Sequence, residues 1–204
     1  MSNQWDERYA TDEYVYGTQP NDFVRDHVTS LPPGGRVLCL ADGEGRNGVF
    51  LAQQGMNVTS VDQSSVGLAK ASALAEQRGV SISTAVADLV WYDLGTEQWD
   101  AIVSVFCHLP PDLRRSVHQR VVQALRPGGV FLLEAYTPQQ LEFHTGGPPT
   151  VELLMTSSSL TEELEGLDML LNHEITRDIH EGRLHDGPSA VVQVLARKPA
   201  SPND

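Results

Sequence analysis

Short apolar runs alternate with longer amphipathic stretches along most of this chain. Five apolar runs predict buried strands at residues 37–40, 57–62, 81–87, 101–106 and 130–136. Three stretches with apolar residues at helical spacing predict helices at residues 45–54, 64–78 and 111–125. The repeated strand–helix units predict a doubly wound α/β fold with a parallel sheet and right-handed crossovers.

The alternation stops after the fifth predicted strand. Residues 137–158 have a loop-like composition, and a short helix is expected near residues 160–164. Two further strands, at 172–181 and 190–198, are separated by a glycine-bounded turn that is typical of an antiparallel hairpin. The predicted architecture is a single domain over residues 1–204, with a mostly parallel, Rossmann-like seven-stranded sheet that ends in this hairpin.

The composition agrees with a globular α/β domain. Hydrophobic residues make up 40% of the 204 positions and charged residues 20%, which is typical of soluble proteins. No apolar run approaches the roughly 20 residues that span a bilayer, and the polar N-terminus lacks an apolar signal core. The two cysteines, Cys39 and Cys107, form no CxxC pair. We therefore expect a cytoplasmic protein without a membrane partner, a disulfide framework or a metal site.

The net charge of −13 narrows the expected partners further. A strongly acidic surface repels phosphate backbones, and no cluster of Lys or Arg forms a local basic patch. The acidity can otherwise simply maintain solubility. We expect a small-molecule substrate rather than nucleic acid, and the sequence leaves the oligomeric state undetermined.

The loop Ala41–Gly45, after the first predicted strand, is the first candidate for ligand binding. In an open α/β sheet, ligands bind beyond the carboxyl ends of the strands, where the strand order reverses. Gly43 and Gly45 lack a Cβ, so a ligand can approach the backbone closely. A purely structural turn explains the glycines as well, and Gly48 completes a GxGxxG pattern that also suits a dinucleotide.

Two acidic residues follow the next predicted strands. Asp62 ends the second strand, where a carboxylate can accept the ribose hydroxyls of a nucleoside or can instead cap the following helix. The nearby glycine loop favours the ligand role. Asp88 follows the third strand, where it can accept an adenine amino group or lie in a solvated turn. The two acids together indicate a nucleoside-containing ligand.

Several segments resemble the motifs of class I S-adenosylmethionine-dependent methyltransferases. The matching segments are Val37–Ala52 with its Gly43-Glu44-Gly45-Arg46-Asn47 core, Val58–Ser64, and Leu125–Val130 with its Arg-Pro-Gly-Gly turn. The lead-in, Trp5–Tyr9 with Tyr14–Asn21, is similar to small bacterial methyltransferases of the tellurite-resistance type. The resemblance covers nearly the whole chain, and it implies a seven-stranded sheet whose last two strands form a hairpin.

The resemblance also implies S-adenosylmethionine as the cofactor. The residues expected to line it are Ala41, Asp42, Gly43, Gly45, Asp62, Gln63, Asp88 and Leu89, with Tyr16 and Gly17 from the lead-in. Residues 1–30 are expected to fold over the pocket as an aromatic lid, and residues 137–165 to form a substrate-side insert. For the lead-in tyrosines, ordinary edge packing is the alternative.

The chain departs from the family pattern at two positions of the first motif. Family members often carry an acid where Cys39 stands and a glycine where Ala41 stands, and that acid organises the methionine end of the cofactor. We hypothesise that Asp42 takes over part of this role.

Methyl transfer from a sulfonium ion needs alignment and exclusion of water rather than a protein nucleophile. His108 follows the fourth strand, beside the first, and is the candidate base or acceptor-orienting group; a structural histidine is the alternative. Cys107 is expected to be a small buried residue rather than a nucleophile. The residues expected at the acceptor end are Tyr136, Phe143, Arg183 and His185, with His144 also near the rim.

The leading hypothesis is therefore a methyltransferase acting on a small molecule, with soft nucleophiles such as thiols or chalcogen oxyanions as candidates. The alternative from another class is a cofactor-binding regulatory or interaction protein without turnover. A nicotinamide enzyme is a third hypothesis, which the terminal hairpin and the Arg-Pro-Gly-Gly turn disfavour.

Overall fold

A computed structural model describes residues 4–200 of the chain. Within these residues one seven-stranded sheet forms the centre of the molecule. Its strands are β1 Arg36–Leu40, β2 Asn57–Asp62, β3 Ser83–Val86, β4 Trp99–Val105, β5 Leu125–Tyr136, β6 Asp168–His180 and β7 Asp186–Arg197. In space they follow the order β3-β2-β1-β4-β5-β7-β6.

Helices cover both faces of the sheet. They are α1 Gln4–Tyr9, α2 Asp22–Asp26, α3 Arg46–Gln53, α4 Ser65–Gln77, α5 Pro111–Ala124 and α6 Ser157–Glu163. Short 3-10 helices lie at Val28–Ser30, Pro138–Glu142 and Val151–Leu153. Among residues 4–200, no helix has the length and apolar character that crossing a bilayer requires.

The strand pairing confirms the predicted fold class. The pairs β1–β2, β2–β3, β1–β4 and β4–β5 are parallel, whereas β7 pairs antiparallel with both β5 and β6. The chain runs outward from β1 to β3 and then returns to β4 on the other side of β1. The order therefore reverses between β1 and β4, which is where an open α/β sheet binds its ligand.

Alternation along the strands divides the core into two layers. Leu38 and Leu40 of β1 pack with α5 and α6 on one face, through residues such as Val117. Val37 and Cys39 belong to the other face, against α2 and α3. Side chains in a strand point alternately to opposite faces, so an apolar run buried on both sides is expected in a central parallel strand.

The main difference from the predicted boundaries is the early start of β5. Leu125 adopts an extended backbone directly after α5 and pairs with Trp99, and a register shift follows. The turn at Gly128 is held because its N–H donates to the carbonyl oxygen of Lys198, 2.9 Å away. Pairing between β5 and β7 covers Val130–Tyr136, which is the predicted run, and the residues before it belong to β5 through the Leu125–Trp99 pair.

Candidate active site

A cleft of about 1020 Å³ opens beyond the carboxyl ends of β1, β2 and β4. Its wall includes the loop after β1, Asp62 at the end of β2, and the segment 105–110 after β4. The lead-in around α1 and Tyr16 forms one side, and the turn between β6 and β7 forms another. The cleft therefore lies at the reversal of strand order, where the sequence analysis placed the ligand.

Strained backbone marks this edge of the sheet. Ala41, directly after β1, has a φ of 49°, and Phe106, directly after β4, has a φ of 52°. Such left-handed conformations are unfavourable for residues with a Cβ and concentrate at functional sites. The Ala41 conformation also gives a physical reason for the glycine that the resembling family carries at this position.

The loop glycines are required by neighbouring protein atoms as well as by any ligand. A Cβ at Gly45 would lie 2.4 Å from the Ala71 Cβ of α4. A Cβ at Gly48 would lie 2.4 Å from a carboxylate oxygen of Asp42. The third glycine of the GxGxxG pattern therefore makes room for an internal contact, and the pattern does not by itself indicate a pyrophosphate.

Asp42 lines the cleft, but its carboxylate already has internal partners. One oxygen accepts a hydrogen bond from the Ser60 hydroxyl at 2.6 Å, and the other accepts from the Gly48 N–H at 3.4 Å. Burial raises the pKa of Asp42 to about 7. The side chain is thus directed toward β2 and α3, and the hypothesised contact with a methionine end would compete with these bonds.

Asp62 presents a buried carboxylate to the cleft. Its oxygens accept the backbone N–H groups of Gly43 at 3.0 Å and Ser64 at 2.8 Å, and its pKa is raised, chiefly by burial. Ser64 caps α4 through its own hydroxyl, which accepts from the Gly67 N–H. Asp62 is therefore not the helix cap, and each carboxylate oxygen keeps acceptor capacity for a ligand hydroxyl.

The other residues expected at the cofactor end lie along the same wall. Gln63, Asp88 and Leu89 all line the cleft. Asp88 is exposed, and one of its oxygens accepts from the Val90 N–H at 2.8 Å. Leu89 is buried and supplies apolar surface beside it. The structure thus brings together polar and apolar groups of the kind that would hold an adenine ring.

The lead-in is fastened to the glycine loop by Glu44 and Lys70. One oxygen of the buried Glu44 accepts from the Val15 N–H at 2.8 Å, and the other pairs with Lys70 at 2.5 Å. Lys70 also donates to three lead-in carbonyl oxygens, including those of Thr11 and Glu13. Tyr16 and Gly17 are thereby brought to the cleft wall.

His108 is partly buried at the acceptor end, with both ring nitrogens engaged. Nδ1 lies 2.8 Å from the carbonyl oxygen of Leu153, and this contact requires a proton on Nδ1. Nε2 then accepts the Tyr136 N–H at 3.4 Å. Burial lowers the pKa of His108 to about 4. An imidazole whose two ring nitrogens are both hydrogen-bonded to the protein has no free nitrogen to accept a proton at neutral pH. His108 therefore suits an orienting role better than that of a general base.

The other residues expected at the acceptor end divide into two groups. Arg183 and His185 line the cleft, as does His144. Tyr136 and Phe143 are not among the lining residues; Tyr136 is fully buried behind the wall, with its ring against Gly146 and Gly147. His144, which was also expected near the rim, lines the cleft and has a φ of 57°.

Three further lining residues were not singled out as site residues from the sequence. Tyr9 covers Gly43, Phe106 stacks on Tyr136 with ring centroids 4.5 Å apart, and Arg46 begins α3. Arg46 lies inside the motif that carries the family resemblance. No local sequence pattern indicates that Arg46 is buried or that it pairs with Glu181, directly after β6.

Neither cysteine has the character of a nucleophile. Cys39 is buried within β1. Cys107 lines the cleft, and burial raises its pKa to about 12. Within residues 4–200 there is no group of three His, Cys, Asp or Glu side chains placed to hold a metal ion.

Residues 37–129 match a family model described as a methyltransferase domain. This segment contains the loop after β1 together with Asp62, Asp88 and His108. A search of the curated proteins found no match.

Solved structures share the fold over nearly the whole chain. TehB from Haemophilus influenzae superposes with a TM-score of 0.71 and 24% identity over 95% of this chain and 65% of that chain. N-methyltransferase NodS from Bradyrhizobium japonicum, in complex with S-adenosyl-L-homocysteine, gives 0.68 and 16% over 96% of each chain. A structure described as "Conversion of a Disulfide Bond into a Thioacetal Group during Echinomycin Biosynthesis" gives 0.76 and 18%, covering 95% of this chain and 88% of that one. At these identities the likeness shows the fold.

Proposed function

We propose that this chain is an S-adenosylmethionine-dependent methyltransferase and that it methylates a small molecule held at the Arg183–His185 end of the cleft. The observation that carries the proposal is a single cleft with two different ends. Asp62 and Asp88 line one end, and His108 and His185 line the other.

The residues present suit the cofactor. Ligand pockets typically measure roughly 300–1000 Å³, and the cleft, at about 1020 Å³, has room for the donor and a small acceptor. The buried Asp62 carboxylate would accept the ribose hydroxyls, and Asp88 with Leu89 would hold the adenine. The loop Ala41–Gly45 would lie along the methionine part, with Gln63, Tyr16 and Gly17 completing the wall.

The cofactor supplies an electrophilic methyl group on a sulfonium ion. The protein's own contribution is to align the acceptor and to exclude water. The lead-in closes one side of the cleft through the Glu44–Lys70 pair, and Phe106 and Leu153 add apolar surface at the acceptor end. Cys107 remains a thiol at neutral pH because its pKa is raised, so it does not compete with the acceptor.

We propose a soft nucleophile, such as a thiol or a chalcogen oxyanion, as the acceptor. A chalcogen oxyanion, or a thiol that has lost its proton to solvent before transfer, presents an unprotonated atom and needs no protein base, which agrees with a neutral His108 whose two ring nitrogens are both engaged. One structural neighbour is described by sulfur chemistry, the conversion of a disulfide bond into a thioacetal group. Within this proposal His108 orients the acceptor through the surface of its ring, since both ring nitrogens are engaged by backbone groups, and Arg183 attracts an anionic acceptor.

The same proposal covers the roles of two chain segments, the class of partner and the cellular location. Residues 1–30 act as the lid, of which residues 1–3 lie outside the described part, and residues 137–165 act as the substrate-side insert. The net charge of −13 supports a small-molecule partner over nucleic acid. Two unpaired, buried cysteines are in keeping with a cytoplasmic location.

The decisive test measures binding and turnover on the same preparation. Calorimetry with S-adenosylhomocysteine is expected to give a saturable, one-site isotherm, and Asp62→Asn to weaken it at least about tenfold. A screen of thiols, selenite, tellurite and small carboxylates is then read by release of S-adenosylhomocysteine. Binding without turnover across the panel would favour the regulatory alternative, and binding of NAD instead would favour a nicotinamide enzyme.

A further inference from the structure

Arg46 is a buried arginine at the cleft with an incomplete set of partners. It is 7% exposed, and its Nη2 lies 2.6 Å from Oε2 of Glu181, at the end of β6. Its Nη1 is buried without a hydrogen-bond partner, and the residue lines the cleft. The Nη2 group of Arg46 therefore has a protein acceptor, whereas the Nη1 group has none.

His185 likewise has a buried side-chain nitrogen without a hydrogen-bond partner, close to the carboxylate that Arg46 contacts. It is 7% exposed, lines the cleft and lies between the rings of Tyr16 and Phe106, at centroid distances of 4.5 and 4.7 Å. Its Nδ1 has no hydrogen-bond partner and lies 3.9 Å from the same Glu181 oxygen that Arg46 contacts. Two unpartnered nitrogens thus converge on one corner of the cleft.

A buried network holds this corner in place. Asn21 donates to Glu181 at 2.9 Å and to the fully buried Glu134 at 2.7 Å. Glu134 also accepts from Arg177 of β6 and Gln193 of β7. Since Asn21 holds Glu181 in place, Arg46 cannot turn away from it without breaking a buried ion pair. The network therefore presents Arg46 to the cleft in one orientation.

Unpartnered buried donors are costly, and native proteins keep few of them. A guanidinium is always charged and offers no acceptor, so the group that satisfies its Nη1 must be an acceptor, and an anion does so best. Glu181 neutralises one charge at this corner, but Arg183 adds another at the rim. The corner therefore suits an anion even though the protein as a whole is acidic.

We propose that Arg46 and His185 form a subsite for a carboxylate or oxyanion of a ligand bound in the cleft, with Glu181 as the positioning residue. This inference rests on the proposed function, because it concerns the ligands of the same cleft. The anionic group belongs either to the amino-acid end of the methyl donor or to the acceptor. Both sources offer the same chemistry to Arg46, and they are separable by experiment.

The test compares three probes on one set of variants. S-Adenosylhomocysteine carries the amino-acid carboxylate, methylthioadenosine lacks it, and sodium selenite represents an oxyanion acceptor. Calorimetry is run on wild type, Arg46→Gln, and the double variant Arg46→Gln/Glu181→Gln, which leaves no unpaired buried charge. Arg78→Gln, an exposed arginine at the end of α4, is the matched control for loss of one charge. Thermal unfolding verifies that each variant is folded.

We expect the double variant to bind S-adenosylhomocysteine about ten- to a hundredfold more weakly, with methylthioadenosine unchanged, if the donor supplies the anion. If the acceptor supplies it, selenite binding to the S-adenosylhomocysteine complex falls by that factor instead. The subsite is refuted if neither changes, which would leave only water at Arg46, or if methylthioadenosine weakens equally. Selenite is also titrated into the free protein. A wild type that binds selenite but not S-adenosylhomocysteine would therefore overturn the proposed function alone.

Discussion

The hydroxyl oxygen of Tyr9 lies so close over Gly43 that a Cβ on the glycine would come within 2.5 Å of it. The Tyr9 ring also packs against Gly67, where an added Cβ would be 2.9 Å from a ring carbon. The lead-in and the loop after β1 are therefore fitted to each other, and the position of α1 depends on which residue stands at position 43.

Gly43→Ala is expected to displace the lead-in and weaken S-adenosylhomocysteine binding at least about tenfold. The new Cβ meets Tyr9, and the φ of 55° adds strain of about 1–2 kcal/mol. Gly79→Ala is the matched control, because Gly79 has a φ of 70° with nothing near its Cβ position. It should lose similar stability while keeping its affinity. Tyr9→Phe in the Gly43→Ala background should recover part of the binding.

Ala41→Gly is expected to stabilise the protein by about 0.5–1 kcal/mol. The gain comes from removing left-handed strain at a φ of 49°, less the added entropy of the unfolded chain. Urea unfolding at equilibrium measures the change. An Ala41→Gly protein that is less stable than wild type would show that the strain argument is wrong at this position.

Lys70→Met is expected to loosen residues 4–17 and to destabilise the fold by several kcal/mol. Loss of the lysine leaves the Glu44 carboxylate buried without its cation, and such a loss costs roughly 3–5 kcal/mol. It also removes donors to three lead-in carbonyl oxygens. Hydrogen exchange should rise first in the lead-in. Lys198→Met removes a 3.5 Å pair to the exposed Glu97 and donors to the Gln123 and Leu125 carbonyl oxygens, but it leaves no buried carboxylate without its cation. It should therefore destabilise the fold less than Lys70→Met and leave hydrogen exchange in the lead-in unchanged.

His108 and Asp42 are expected to give the stability opposite dependences on pH. His108 has a folded pKa of about 4 against an ordinary 6.5, so its contribution is complete above pH 6.5 and is lost as the pH falls. Asp42, raised to about 7 from 3.8, contributes fully below pH 3.8, and that contribution is lost as the pH rises toward 7.

The check is the free energy of unfolding from pH 6.5 to pH 5. Over that interval the advantage of wild type over His108→Gln should shrink by about 1.6 kcal/mol, because the unfolded histidine goes from half to nearly full protonation while the folded one stays neutral, at about 1.36 kcal/mol per pKa unit. The advantage of wild type over Asp42→Asn should grow over the same interval. Parallel curves for wild type and His108→Gln would show that the imidazole is not held neutral by burial.

Much of the fold was predictable because it rests on local pattern. The apolar runs and the glycine-bounded turn gave the parallel strands and the terminal hairpin, which the pairing of β6 with β7 confirms. The early start of β5 was not predictable, because Leu125 is extended by pairing with Trp99 rather than by its own neighbours. Periodicity carries no information about such a partner.

The candidate site likewise has residues that the sequence predicts and residues that it does not. The loop after β1, Asp62 and Asp88 follow strands directly, so topology alone brings them to one edge. Phe143 and His144 were both expected near the rim, but His144 lines the cleft and Phe143 does not. They lie in a loop, where no periodicity distinguishes one residue from the next. The pairing of Arg46 with Glu181 joins elements 135 positions apart, and no local pattern records it.

The bond between Asn21 and Glu181 spans 160 positions of the chain. During synthesis on the ribosome, the lead-in emerges long before the carboxylate that fixes it, and contacts of such separation form late and slowly. A nascent chain that stops short of residue 181 cannot complete the corner around Arg46. The cleft is therefore finished only when the hairpin docks, so ligand binding also reports that the hairpin has folded.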